Sequence, residues 1–122
     1  MDEAWPWPDD LDALAAAPEH HRKVLENDLV RVIETRIAAA ETTAIHTHRW
    51  PNVQHIVATT DFVRRDAEGA VLFDTRSAGK RPEPGATLWS EPLPPHSIEN
   101  VGDGDLHVVM VEVKAASAQP QG

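Results

Sequence analysis

Short apolar runs follow one another along most of the chain, and glycine, proline, asparagine or aspartate residues separate them. This pattern is typical of β-strands joined by tight turns. Asn27 and Asp28 separate the first two runs and so predict a hairpin. We predict strands at residues 24–25, 29–37, 43–48, 53–59, 62–65, 71–75, 87–91, 96–100 and 106–114. Eight or nine short strands without a helical period indicate an all-β sandwich or barrel.

The two ends of the chain depart from this pattern. The N-terminal stretch contains two Trp-Pro pairs and then an alanine-rich run over residues 11–17, which Asp9 or Asp10 could cap as a short helix. Its exposed tryptophans predict that this stretch packs on its own barrel or on a neighbouring subunit. We divide the chain into an N-terminal arm at 1–22, a β-barrel at 23–114 and a disordered tail at 115–122.

Composition restricts the partners. The 122 residues suffice for one domain. Eleven basic and twenty acidic side chains give a net charge of −9, which would repel a nucleic-acid backbone. We find no apolar run long enough to span a membrane and no basic start typical of a signal peptide, so we expect a cytoplasmic protein. Cysteine is absent, so any bound metal must have nitrogen or oxygen ligands.

Histidines provide the candidate chemistry. His46 and His48 lie two residues apart in a predicted strand, so their side chains point to the same face and can bind one metal ion. His96 follows a proline-rich corner and begins another strand, which makes it the candidate third ligand. His-x-His alone is weak evidence, because surface or core histidines can show the same spacing.

The residues around these histidines resemble the two motifs of the cupin superfamily. In the first motif His46 and His48 match, Ala40 stands at a glycine position, and the usual glutamate position falls on Asn52 or Val53. In the second motif three residues match in register and two differ. The matches are Gly85, His96 and Asn100, and the differences are Glu91 for a proline and Leu93 for a glycine.

The resemblance covers residues 23–114 and is closest to small single-domain cupins, whose first motif is similar to the His-Thr-His-Arg-Trp-Pro of residues 46–51. It implies a double-stranded β-helix, or jelly-roll barrel, and a homodimer. It also implies one divalent transition metal on His46, His48 and His96. Because the glutamate is missing, we expect three neutral imidazoles and water around the metal. Iron(II) is our first choice, and zinc, nickel, manganese or copper are chemically admissible.

Three polar residues after the first motif are candidates near the metal. Asn52 or Gln54 could hydrogen-bond a bound water, or could be structural. His55 could be a fourth ligand or a hydrogen-bonding neighbour, or could pack against Trp50 or Trp89.

The remaining candidates have structural alternatives as well. Trp50 and Trp89 could line a pocket, although core packing is an alternative use. Asn100 is expected to secure a turn. Glu91 is the one carboxylate that we nominate as a general base, against the alternative of a solvated corner residue. We set His20 and His21 aside as a metal site, because they are adjacent to each other and flanked by charged residues.

Three functions remain open. The first is a dioxygenase-type enzyme acting on a small organic molecule that coordinates the metal. The second is an isomerase, lyase or hydrolase in which the metal acts as a Lewis acid. The third is a non-catalytic module that binds a metal or a small molecule.

Overall fold

A computed structural model describes residues 5–114. The tail predicted at 115–122 and the first four residues of the arm lie outside the described residues. Within them, nine strands follow one another along the chain: β1 (His21–Glu26), β2 (Val30–Ile37), β3 (His46–His48), β4 (Asn52–Ala58), β5 (Phe62–Asp66), β6 (Val71–Asp74), β7 (Thr87–Ser90), β8 (Leu93–Asn100) and β9 (Leu106–Val113). The all-β prediction is confirmed.

The strands form two sheets. One has the order β1-β2-β9-β4-β7 and the other β3-β8-β5-β6, and neighbouring strands pair antiparallel in both. The hairpin predicted at Asn27 and Asp28 joins β1 to β2, and the Asn27 side chain accepts hydrogen bonds from the backbone N–H groups of Leu29 and Val30. An asparagine side chain that binds the backbone two and three residues ahead stabilises such a turn.

Apolar side chains fill one part of the space between the sheets. Ile37, Phe62 and Leu106 form a buried cluster, against which Phe73 and Ile98 pack. The turn after β8 closes this region, and Asn100, buried at its edge, fixes it. The Asn100 amide donates to the carbonyl oxygens of Ile37 and Gly104 and accepts from the Gly102 N–H. These bonds agree with the turn-securing role expected of Asn100.

The helices are short and differ from the sequence prediction. A 3-10 turn covers Asp9–Leu11, and α1 spans Ala13–Ala16. Asp12 caps α1 by accepting from the Leu14 N–H, so the cap predicted at Asp9 or Asp10 was wrong. A second helix, α2 (Thr75–Ala78), follows β6, and four residues are too few to show a helical period. Within residues 5–114 no helix has the length and apolar character needed to cross a membrane.

Strand β8 begins at Leu93, three residues before the predicted start. Pro94 and Pro95 lie where β8 pairs with β3 alone, because its pairing with β5 begins only at His96. The β3–β8 register also shifts between His46 and His48. Proline is tolerated at such positions, because an irregular pairing requires fewer backbone N–H donors.

The arm lies on the barrel of its own chain. Asp12 forms an isolated bridge with Thr47 in β3, and Ala13 and Ala17 are fully buried. The first strand begins at His21, inside the range 1–22 that the sequence assigned to the arm. The chain therefore enters the barrel directly beside the His-x-His strand.

Candidate metal centre

Four buried histidines come together between the two sheets. They are His21 at the start of β1, His46 and His48 in β3, and His96 in β8. The His46 ring centroid lies 4.4 Å from that of His96, 4.5 Å from that of His21 and 5.1 Å from that of His48. The His48 centroid lies 5.4 Å from that of His21 and 5.7 Å from that of His96. The structure thus brings together the three predicted histidines and adds a fourth.

Strand geometry explains the cluster. His46 and His48 share one face of β3 because alternate residues of a strand point the same way. His96 is the pairing partner of His46 on the neighbouring strand. His21 comes from the other sheet, and the buried turn of helix before it places it against β3.

Each of the four rings is held through Nδ1. The partner is an oxygen that can only accept, so Nδ1 carries the proton and Nε2 keeps its lone pair. The partners are the carbonyl oxygens of Ala17 for His21 (3.0 Å), Ala44 for His46 (2.8 Å) and Pro94 for His96 (2.7 Å), and the Glu112 carboxylate for His48 (3.2 Å). This arrangement is the one by which proteins orient metal-binding imidazoles.

The rings are neutral at physiological pH. Burial, assisted by the neighbouring imidazoles, lowers the pKa of His21 and of His48 to about 3 and that of His96 to about 2. Burial also lowers the pKa of His46. A neutral imidazole is the form that binds a metal, so the electrostatics of the cluster suit a cation.

The donor set fits a transition metal. One nitrogen from each of His21, His46 and His48 lies within 4.8 Å of the other two, so this group could hold a metal ion. Imidazole nitrogen suits zinc, copper, iron and nickel. His96 contacts the group through the His46 ring.

Setting His21 aside was wrong. Arg22 and Lys23 made this stretch look like a charged surface, but Arg22 points away from the cluster and pairs with Glu34. His21 alternates with Arg22 along β1, so its side chain points inward. A strand that begins at His21, with alternate residues facing inward, would have predicted that the His21 side chain is buried.

Glu112, the hydrogen-bond partner of His48 Nδ1, belongs to a buried network of charged side chains. The Glu112 side chain is fully buried, and its second oxygen accepts from Arg31 Nε at 2.6 Å. Arg31 also donates to both oxygens of Asp12, at 2.8 and 3.0 Å. Burial opposes the charge of Arg31, but the hydrogen bonds to Asp12 and Glu112 outweigh it and raise the Arg31 pKa. Burial raises the pKa of Glu112, against the effect of Arg31.

The histidine cluster borders a cavity of about 320 Å³. All four histidines line it, together with Gln54, Arg64 and the half-exposed Trp89 and a set of apolar residues from both sheets. Gln54 donates to the Asn52 amide oxygen, and Asn52 is fully buried and donates to the Trp50 carbonyl oxygen. Of the three polar candidates Asn52, Gln54 and His55, Gln54 is therefore the one that lines the cavity.

The other sequence candidates lie outside the cavity lining. His55 is exposed and alternates with Gln54 on β4, so it faces away from the cluster. Glu91 is exposed and accepts from Trp89 Nε1 at 2.7 Å, which favours a solvated corner residue over a general base. Trp50 lies against three cationic side chains, with Arg31 5.0 Å from its ring centroid.

Solved structures share this arrangement of strands. A cupin domain from Bordetella pertussis Tohama I is similar over 78% of this chain and 92% of its own length, with a TM-score of 0.63 and 22% sequence identity. The fold is that of a cupin. A protein with a double-stranded β-helix domain from Klebsiella pneumoniae is similar over 80% of this chain and 78% of its own length, with a TM-score of 0.55 and 16% identity.

The cupin fold here is also similar to that of a polyketide cyclase, RemF from Streptomyces resistomycificus. The match has a TM-score of 0.53 and 16% identity over 81% of this chain and 68% of RemF. No protein-family model matches the sequence, and a sequence comparison with curated proteins finds no match either. At these identities the structures establish the fold of this chain, and its chemistry must be argued from its own residues.

Proposed function

We propose that this cupin is a metal-dependent enzyme that holds one divalent transition metal on His21, His46, His48 and His96 and acts on a small organic molecule. One observation carries the proposal. Three neutral imidazoles have nitrogens within 4.8 Å of one another, and they line a cavity large enough for a small ligand. A histidine cluster buried only for packing would not require such a cavity beside it.

Iron(II) and oxygen chemistry remain our first choice for this site. A bound divalent metal would supply Lewis acidity and, if redox-active, electron transfer to or from the substrate and O₂. Neutral imidazoles leave both positive charges of the ion uncompensated, which favours an anionic ligand. The histidines would hold the ion, and substrate and solvent would have to take coordination positions that the imidazoles leave open. The apolar cavity walls, including Ile56, Leu106 and Met110, limit the access of water.

Elemental analysis tests the metal site. Protein purified without added metal should contain about one equivalent of a transition metal, and the single variants His46→Ala, His48→Ala and His96→Ala should lose most of it. His21→Ala should weaken binding as well, because His21 contributes a ring to the cluster. His55→Ala is the matched control, since His55 is exposed on the opposite face. Full metal content in His46→Ala and His96→Ala would contradict the proposal.

Oxygen consumption tests the reaction. Iron(II)-loaded protein should consume O₂ with at least one diketone, thiol or phenolic substrate, and the His48→Ala variant should not. No uptake above that variant across a broad panel would reject dioxygenase chemistry.

A Lewis-acid isomerase, lyase or hydrolase is the second candidate. Its support is the similarity in fold to a polyketide cyclase, because one fold can host several chemistries. Turnover with zinc or nickel in the absence of oxygen would select it. Bound metal without turnover under either condition would favour the third candidate, a binding module. The homodimer implied by the family resemblance stays a prediction, which sedimentation of the purified protein tests.

A further inference from the structure

An arginine shares the cavity with the histidines. Arg64 lies in β5 and pairs with Ile98, two residues from His96 on the same strand. Residues in register or two apart share one face of a sheet, so Arg64 and His96 point to the same side. Both line the cavity, and the charge of Arg64 contributes to the low pKa of His48 and of His96.

The Arg64 guanidinium has no partner among the residues that the structure describes. Its Nε atom is buried without a hydrogen bond, and among residues 5–114 no ion pair joins Arg64 to a carboxylate. The other inward-facing arginine, Arg31, binds two carboxylates, and the neighbouring Arg65 binds Glu99. An unpaired buried cation is costly, so proteins normally pair or solvate it.

The rest of the cavity wall lacks a compensating anion. The described lining residues include no aspartate or glutamate, and Arg64 is their one lysine or arginine. The Thr35 hydroxyl lies in the same lining and is also buried without a hydrogen bond. A cation and a hydroxyl left free in one cavity match a ligand that brings hydrogen-bond acceptors and a negative charge.

We propose that Arg64 is the binding residue for a carboxylate group, and that the substrate is a small organic monocarboxylate. The guanidinium holds the carboxylate by paired N–H···O bonds, and the rest of the molecule extends toward the histidine cluster along the same cavity. A cavity of about 320 Å³ is at the small end of ligand sites, which limits the size of the molecule. The fork of one guanidinium matches the two oxygens of one carboxylate, and phosphate is the competing anion that the test includes. This inference rests on the proposed function and specifies its substrate class.

Paired ligands test the carboxylate requirement. Titration calorimetry would compare a panel of small aliphatic and aromatic monocarboxylates with their neutral amides and with inorganic phosphate. At least one carboxylate should bind, and its amide should bind about 10- to 100-fold more weakly, because the charge-assisted hydrogen bonds are lost. Arg64→Gln should weaken the carboxylate to a similar extent and leave the amide unchanged. Arg65→Gln is the matched control and should bind like the parent.

Three results would overturn the proposal. The first is that the parent protein binds no carboxylate, and the second is that Arg64→Gln binds the carboxylates as tightly as the parent does. The third is that the parent binds phosphate more tightly than every carboxylate. Urea denaturation without ligand separates a binding role from a structural one. Arg64→Met should keep or raise the unfolding midpoint, because it removes an unpaired buried charge, whereas a lower midpoint would indicate a structural role.

The same titrations distinguish this proposal from the metal proposal. They are run on protein incubated with iron(II), on chelator-treated protein and on His46→Ala. If Arg64-dependent carboxylate binding survives in all three while no preparation binds metal, the metal site fails and the carboxylate site stands. If Arg64→Gln holds metal and binds carboxylates like the parent, the carboxylate site fails and the metal site stands.

Discussion

Replacing Arg31 by methionine should destabilise this protein strongly. The change removes the guanidinium but keeps a long apolar side chain, so it tests charge rather than volume. Glu112 would then remain fully buried, with His48 Nδ1 as its one hydrogen-bond partner from the network. Breaking a buried ion pair from one side costs about 3–5 kcal/mol, a large part of the stability of a domain. For a domain of this size that corresponds to a fall in Tm of roughly 12–20 °C.

Urea denaturation at several pH values measures the effect. Without Arg31, burial and the negative charges of Asp12 and Glu26 act unopposed by that guanidinium and raise the pKa of Glu112 further above the unfolded value. The folded variant then binds a proton that the unfolded chain has released, so its stability falls as pH rises through this window. The deficit relative to the parent should therefore be larger at pH 8 than at pH 5.

Two further variants decide the interpretation. Arg65→Met removes the half-exposed partner of Glu99 and should cost less than about 1 kcal/mol. Combining Arg31→Met with Glu112→Leu should recover most of the lost stability, because no buried charge remains from the pair. A cost for Arg31→Met no larger than that for Arg65→Met would refute the reasoning.

Three other expectations follow from the buried polar groups. The metal-free protein should lose stability as pH falls from about 7 toward 3, because His21, His48 and His96 stay neutral when folded but take up protons when unfolded. Each contributes a slope of up to ~1.4 kcal/mol per pH unit below about 6.5, and a flat profile in urea titrations would contradict this. Asn100→Ala should cost about 2–4 kcal/mol in the same assay, since it leaves buried backbone groups unpaired, and a loss below about 0.5 kcal/mol would exclude that role. Asp12→Asn should lower the free energy of unfolding by only about 1 kcal/mol, because asparagine still caps α1 and Arg31 keeps its ion pair with Glu112. A cost equal to that of Arg31→Met would show that the Asp12 charge matters as much as the Arg31 charge.

The strands and part of the histidine cluster could be predicted because they depend on local alternation. His46 and His48 share a face through their spacing alone, and His96 was recognised from the motif register. His21 depends on contacts between distant parts of the chain, since the arm and β3 together place it. The charged neighbours of His21 suggested an exposed surface. The charge of a neighbour, however, says little about the direction in which a residue's own side chain points.

Glu112 and Arg64 show a second limit of sequence reasoning. Glu112 lies between two valines in β9, and Arg64 follows two apolar residues in β5, where a charged side chain ordinarily faces water. Both instead face the interior, Glu112 because Arg31 and His48 bind it, and Arg64 because a cavity lies beside it. The partners that make the burial of Glu112 tolerable lie on other strands, and one sequence does not identify them.

The hydrogen bonds behind His48 also bear on the order of folding. Glu112 lies 64 residues after His48 and 81 residues after Arg31 along the chain. During synthesis the strand that contains His46 and His48 therefore leaves the ribosome well before Glu112, which binds the ring of His48. Contacts of such long sequence separation form late, because the entropy of loop closure must be overcome first. The orientation of the His48 ring is thus completed only when β9 docks, so the cluster matures at the end of folding rather than nucleating it.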